Sequence, residues 1–216
     1  MILSRGRRYL FIHAPKTGGT SMALALEARA MKDDIMLGDT PKAVKRRKRL
    51  EGMQAAGRLW KHATLADLDG LVNKDELDAL FIFTLVRNPW DRMVSYYHWL
   101  RAQSFDHPSV MLAKDLPFAE FVAQPVIGQS FSQSPAASYV TDSEGRERAN
   151  LFIRLEHLET DIVPLEAHLG FPLDIPHVNR SARAEDYRAA YTDVSREQVA
   201  RMCAADITRF CYTFDG

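Results

Sequence analysis

The residues best placed to do chemistry are Lys16, Thr17, Gly18, Gly19, Thr20 and Ser21, which follow the apolar run Tyr9-Leu10-Phe11-Ile12 and the link His13-Ala14-Pro15. Two adjacent glycines let the backbone turn tightly with its N–H groups facing inward, where they can meet an anion. Thr20 and Ser21 then open a helix whose unpaired amides and dipole favour the same negative charge. Lys16 adds a full positive charge, and the hydroxyls add donors. The pattern is that of a phosphate cradle; the plain alternative is an ordinary strand-to-helix turn with a surface lysine. It is not a Walker A loop, in which Lys follows the last glycine and directly precedes Ser or Thr. Here Lys16 precedes both glycines.

A second constellation follows Leu80-Phe81-Ile82-Phe83-Thr84-Leu85-Val86, the strongest strand signal in the chain. Asn88 suits a helix N-cap, Pro89 the first helical position, and Asp91 the positive end of the helix dipole. Arg92 and Ser95 share one helix face at i, i+3 spacing, and Arg87 leaves the strand end toward the same crevice. Two guanidiniums and a hydroxyl are thus set to meet a second anion. A Mg²⁺-dependent phosphoryl transferase usually places an Asp in this region to help hold the metal; a cation at Arg87 repels Mg²⁺ and attracts another phosphate. Two anion sites without an acidic metal ligand suggest a nucleotide phosphorylated at two places. A nucleotide kinase is the rival enzyme, and a noncatalytic nucleotide-binding relative the rival of another class.

His62 is the third candidate. Leu59-Trp60-Lys61-His62-Ala63 reads as a strand end, and Thr64 as the cap of a short helix from Leu65 to Leu71 with Asp67 in a capping-box-like position. Side chains at the carboxyl ends of strands line the ligand crevice of an α/β sheet. A satisfied structural histidine is the alternative, and spacing alone does not choose. The remaining histidines, His13 among them, read as structural.

The elements that must hold these groups are strands at Arg8 to His13, Ile35 to Leu37, Leu80 to Val86 and Asn150 to Leu155. Helices are expected after the cradle, with Met22 and Leu26 one turn apart, and from Asn88 to about Gln103. Others are expected over Pro117 to Val122, from Leu158 to Leu169 with Gly170 as the C-cap signal, over Glu185 to Tyr191 and over Ser195 to Phe210. Gly128 to Pro135 has the composition of a loop. The basic run Lys45 to Arg49, preceded by Lys42, reads first as a solvated helix face or loop, and second as a docking patch for an anionic acceptor. No aromatic residues are interleaved in it, so it is no argument for nucleic acid.

The 216 residues suffice for one well-buried core, expected to be a single domain over 1–216. The formal net charge is zero, so the bulk charge carries no signature of nucleic-acid or membrane binding. Cys203 and Cys211 form no disulfide framework, which points to a reducing compartment, and both are expected in apolar packing. No apolar run approaches the ~20 residues of a membrane span, and Met1 to Arg8 lacks a signal-peptide h-region. A cytoplasmic location is expected.

Taken together, Phe11 to Ser21 and Arg87-Asn88-Pro89-Trp90-Asp91-Arg92-Met93-Val94-Ser95 resemble the sulfotransferase superfamily that uses 3′-phosphoadenosine-5′-phosphosulfate (PAPS). The nearer likeness is to its carbohydrate branch, with the heparan 2-O- and chondroitin-type enzymes and their bacterial relatives. It extends more weakly to Lys61-His62-Ala63, Arg154-Leu155-Glu156, His177-Val178-Asn179-Arg180-Ser181 and Asp206 to Tyr212. The resemblance implies a P-loop-like α/β fold around a mostly parallel sheet. It implies that Lys16 to Ser21 bind the 5′-phosphosulfate, that Arg87 and Ser95 bind the 3′-phosphate, and that Asn179, Arg180 and Ser181 close over the cofactor. The product is 3′,5′-adenosine bisphosphate (PAP), and the resemblance implies in addition a reaction that requires no metal. The acceptor is a hydroxyl, by family that of a glycan or glycoconjugate. His62 becomes the candidate base, Glu156 the second choice, and Lys16 stabilises charge on the leaving group. The Golgi-type membrane anchor is absent from the sequence, and the acceptor-binding insertions of larger relatives are expected to be reduced.

Overall fold

The computed structural model describes residues 1–176, 178 and 186–216. In chain order the elements are strands β1 (Ile2–Ser4) and β2 (Tyr9–Ile12), helix α1 (Gly19–Ala28), β3 (Ile35–Met36), α2 (Pro41–Arg46), α3 (Lys74–Ala79) and β4 (Phe81–Val86). Helices α4 (Pro89–Arg101), α5 (Pro108–Asp115), α6 (Phe118–Val122), α7 (Pro125–Ser132) and α8 (Ala136–Tyr139) follow. Then come β5 (Leu151–Arg154), α9 (Leu158–Asp161), α10 (Val163–Leu169), α11 (Asp193–Met202) and α12 (Ala204–Phe210). The chain gathers into two compact units. One is made of Met1–Val86 with the segment that begins at Ala136, the other of Arg87–Pro135 with the C-terminal segment.

The first unit holds a five-stranded sheet in the order β3-β1-β2-β4-β5. β2, β4 and β5 are parallel, with Leu10 opposite Ile82 and Thr84 opposite Phe152. β1 pairs antiparallel with both β2 and β3, so it alone runs against the other strands. The sheet is mostly parallel, as expected.

All of β2 is buried because both faces are covered. Tyr9, Phe11, Phe83, Leu85 and Ile153 face Met22, Ala23 and Leu26 of α1 and Leu165 of α10. Leu10, Ile12 and Ile82 face Ala63, Leu65, Leu68 and Tyr139 on the other side. The period of two along each strand sorts neighbours into these two cores. Phe11 stacks on Phe83 with centroids 5.2 Å apart, which fixes β2 against β4.

The second unit is helical and organised on α4. Asn88 caps it, its Oδ1 accepting from the Trp90 N–H at 3.1 Å, and Pro89 starts it. The Asn88 amide donates to the Thr213 carbonyl at 2.8 Å, and the Trp90 indole N–H donates to the Arg196 carbonyl at 3.0 Å. The C-terminal segment is thereby tied to the start of α4.

Several expectations are corrected. Ile2–Ser4 is a strand, joined to β2 through a turn in which Arg8 takes φ 52°, a conformation that no residue type there announces. Leu59 to Ala63 is not a strand: the Ala63 N–H closes a turn on the Trp60 carbonyl at 3.1 Å. The short helix expected from Leu65 to Leu71 is a single 3-10 turn, Ala66–Leu68, with Asp67 accepting from the Thr64 N–H at 2.8 Å. Most of Gly128 to Pro135 belongs to α7, started by Pro125 and anchored by buried Ile127 and Phe131 one turn apart. The closing helix breaks at Cys203 into α11 and α12. Cys203 is buried as expected, but Cys211 ends α12 at φ 55° and is exposed. No described helix is long and apolar enough to cross a membrane.

Candidate active site

In the first unit the chain leaves β2 at Ile12 and reaches α1 through two left-handed residues, Lys16 at φ 65° and Gly18 at φ 85°. A non-glycine residue held there costs on the order of 1–3 kcal/mol, and such residues cluster at active sites, ligand clamps and switch regions. The Thr17 hydroxyl donates to the Ala14 carbonyl at 2.8 Å and is buried, so it braces the loop. Gly18 is the N-cap of α1 and has no side chain with which to satisfy the helix amides. The N–H groups of Ser21 and Met22 return to the Gly18 carbonyl at 3.1 and 3.4 Å. Lys16, Thr20 and Ser21 are half-buried. The Ser21 hydroxyl accepts from the Val178 N–H at 3.5 Å.

Both glycines also have a packing reason. A Cβ on Gly18 would lie 2.8 Å from Leu155 Cδ1, and one on Gly19 would enter the ring of His13. The residue that sequence reasoning missed is therefore His13. It is buried, lies parallel to Phe11 with centroids 5.7 Å apart, and meets the edge of His62 at 4.7 Å. The signal that could have found it is a polar ring at the end of a buried strand, six positions before a glycine that must leave room for it.

His62 sits where the second core closes over Ala63. Its Nδ1 is 2.7 Å from the His13 carbonyl, and since a carbonyl only accepts, Nδ1 carries the proton. Nε2 is left with the lone pair. Burial pulls the His62 pKa down to about 4, partly countered by that backbone hydrogen bond. Burial likewise pushes His13 well below the ordinary value, with Lys61 and Lys16 among the positive groups that add to the effect. Both rings are neutral at neutral pH. Lys61 pairs with Asp39, which holds that carboxyl below the usual range. Trp60 presents its ring edge-on to His62 at 5.0 Å. Glu156 is exposed, on the 3-10 turn after β5. The fold thus joins the cradle to His62 through His13.

In the second unit, Arg87 donates from Nε at 2.8 Å and from Nη2 at 2.6 Å to one oxygen of Asp91. The sequence assigned Asp91 to the helix dipole; it also fixes this guanidinium. The Arg92 guanidinium lies 5.2 Å from the centre of Phe131, and Ser95 is buried on α4. Asn179, Arg180 and Ser181, and His177 before them, lie outside the described residues.

The first unit's sheet and the flanking helices define a P-loop-like α/β fold with a mostly parallel centre. No protein-family model matches the chain, and no curated protein matches it. Among solved structures, mouse sulfotransferase SULT7A1 complexed with PAP is similar over 92% of this chain and 83% of that one, with a TM-score of 0.53 and 15% identity. At that identity the likeness is one of fold.

Proposed function

We propose that the protein is a PAPS-dependent sulfotransferase acting on a hydroxyl of a carbohydrate. The observation that carries the reading is one connected arrangement: the side-chain-free, left-handed entry to α1 at Gly18, the packed His13, and His62 held with Nε2 as an acceptor. The PAP-bound sulfotransferase of similar fold supports the choice of cofactor. Lys16, Thr17, Gly18, Gly19, Thr20 and Ser21 hold the 5′-phosphosulfate, Arg87 and Ser95 take the 3′-phosphate, and Asn179, Arg180 and Ser181 close the site. The residues fit such a group. Gly18 leaves the α1 amides without a side-chain cap, and Lys16 at φ 65° is held in the kind of strained conformation that clusters at ligand clamps.

When bound, PAPS supplies the sulfuryl group, and PAP is what remains. Lys16 and the cradle amides stabilise the negative charge that grows on the leaving oxygen. His62 Nε2 accepts the proton of the acceptor hydroxyl, and the His13 carbonyl keeps the imidazole in the tautomer that can do so. Glu156, exposed and on a different turn, is the weaker choice of base. The chain works as one domain, and its two free thiols suit the cytoplasm.

The test is transfer of radiolabelled sulfate from PAPS to glycan acceptors. His62→Ala is expected to lower turnover by about 10²–10⁴-fold while PAP still binds. Unchanged turnover in that variant would remove His62 from the reaction, and absence of both PAP binding and transfer in the native protein would end the proposal.

A further inference from the structure

The end of α1 away from the cradle carries charge that the proposed site does not use. Cations from the β1–β2 turn and from the basic run close on the segment that leaves this helix. Arg7 donates from Nε and Nη2 to the Arg29 carbonyl at 3.3 and 3.1 Å. Arg46, the last residue of α2, donates to the Met31 carbonyl at 2.7 Å, and Arg49 donates to the Lys32 carbonyl. Cations suit the negative end of a helix dipole, which accounts for their place. It does not account for the missing counter-charge. Among the described residues none of Arg7, Arg8, Arg29, Lys32, Arg46 and Arg49 has a carboxylate at ion-pair distance. Asp33 is exposed in the same loop, while Asp34 is buried and accepts from the Met31 N–H at 2.8 Å.

Two apolar side chains lie among these charges. Met31 is 38% exposed and packs over the turn: a Cβ on Gly6 would lie 2.5 Å from its sulfur. Phe171, just past α10, is half-buried, with the Arg7 and Arg29 guanidiniums 4.9 and 4.6 Å from its ring centre. His168 of α10 holds the turn in place. Its Nε2 lies 3.0 Å from the carbonyls of Arg7 and Arg8, so that nitrogen carries the proton, and Arg8 is left exposed. The turn, the end of α1 and the end of α10 thus make one face of the first unit.

We propose that this face docks on an anionic phospholipid surface. Lys and Arg without counter-charge beside exposed apolar groups are what the headgroup region of such a bilayer attracts. With two guanidiniums already over it, the Phe171 ring is no open platform for stacking a nucleic-acid base or a sugar. The formal net charge of zero gives the chain no bulk attraction to the bilayer, so binding depends on this face and weakens as salt rises. α1 has 10 residues, a length of about 15 Å, and separates the face from the cradle. Docking therefore leaves the cradle uncovered. The proposal does not rest on the sulfotransferase reading.

The test is co-sedimentation of the full chain with vesicles of phosphatidylcholine alone and of phosphatidylcholine with about 30% phosphatidylserine, in about 0.1 M and about 1 M salt. The anionic vesicles are expected to bind at least about 10-fold more tightly than the neutral ones, and to lose that advantage in high salt. Arg8→Ala/Arg29→Ala/Lys32→Ala, which alters exposed side chains only, is expected to weaken binding to the anionic vesicles by at least about 10-fold. Lys74→Ala/Arg146→Ala/Arg188→Ala removes the same charge elsewhere and should change it by less than about twofold. Urea unfolding of each variant reports that it folds. Equal binding to the two kinds of vesicle, indifference to salt, or an equal loss in the two triple variants would overturn the proposal. So would retention of the chain by heparin or by single-stranded DNA without binding to the anionic vesicles, which would make the face a site for another polyanion.

Discussion

Two constraints fix the protonation of His62: a carbonyl that only accepts, and burial that disfavours charge. Nitrogen NMR at neutral pH is expected to show the proton on Nδ1 and a bare Nε2; the reverse tautomer would remove Nε2 as a base. The same burial makes stability depend on pH. Unfolded, the imidazole takes a proton near pH 6.5; folded, it does not do so until about pH 4. Between those values the unfolded state binds more protons, so this contribution is intact above about pH 6.5 and is lost as pH falls toward about 4. The full difference is worth about 3 kcal/mol. The urea midpoint of His62→Gln should therefore fall less steeply over that window than that of the native protein; equal slopes would mean that His62 is not the half-buried neutral ring described. Gly19→Ala drives a methyl into His13, which is itself wedged between Phe11 and His62. A loss of about 1–3 kcal/mol in denaturant unfolding is expected, as for other overpacked cores. The sequence shows Lys16, the glycines and His62 as candidates because their types and spacing are local. It does not show that His13 links them, because that contact depends on how the turn after β2 folds back. Nor does it show that Thr17 braces its own loop.

At the level of elements, local chemistry decided what was readable. β2 and β4 are short, mainly apolar runs buried on both faces, and they stand out because at most one small polar residue, Thr84, interrupts them. The start of α4 was readable from Asn88-Pro89, and the Asn88 side chain caps as its type suggests. β1 was not: three residues, Ile2 to Ser4, offer no period, and its pairing depends on Arg8 at positive φ. In α7 the small polar residues hid the Ile127 and Phe131 spacing that holds the helix. Asn88 has two roles, as cap and as donor to the Thr213 carbonyl. Asn88→Ala is expected to cost about 2 kcal/mol, measured by urea unfolding; a cost under about 0.5 kcal/mol would mean that neither bond contributes to stability.

For the molecule as a whole, a net charge of zero leaves recognition to local groups, and the fold is shared with a PAP-bound sulfotransferase at 15% identity. A likeness that low is carried by layers, strand order and buried pattern, which many sequences satisfy; hence the fold class was legible from the sequence while the acceptor was not. The C-terminal segment was legible only in part, because its contacts with α4 are made through Thr213 and Arg196 carbonyls that no side-chain pattern records. If the chain binds PAP in its folded form alone, PAP at about 100 times its Kd should stabilise it by about 2.7 kcal/mol in thermal or urea unfolding; no shift at that excess would mean no specific site. The most direct measurement is calorimetric titration of the native chain with PAP in the presence of a chelator, beside ATP with Mg²⁺, repeated with Lys16→Ala and Arg87→Ala. A PAPS-dependent sulfotransferase gives tight metal-free binding of PAP that both variants weaken. Preference for ATP with Mg²⁺ and indifference to Arg87 would contradict it and turn the cradle into that of a phosphoryl-transfer enzyme.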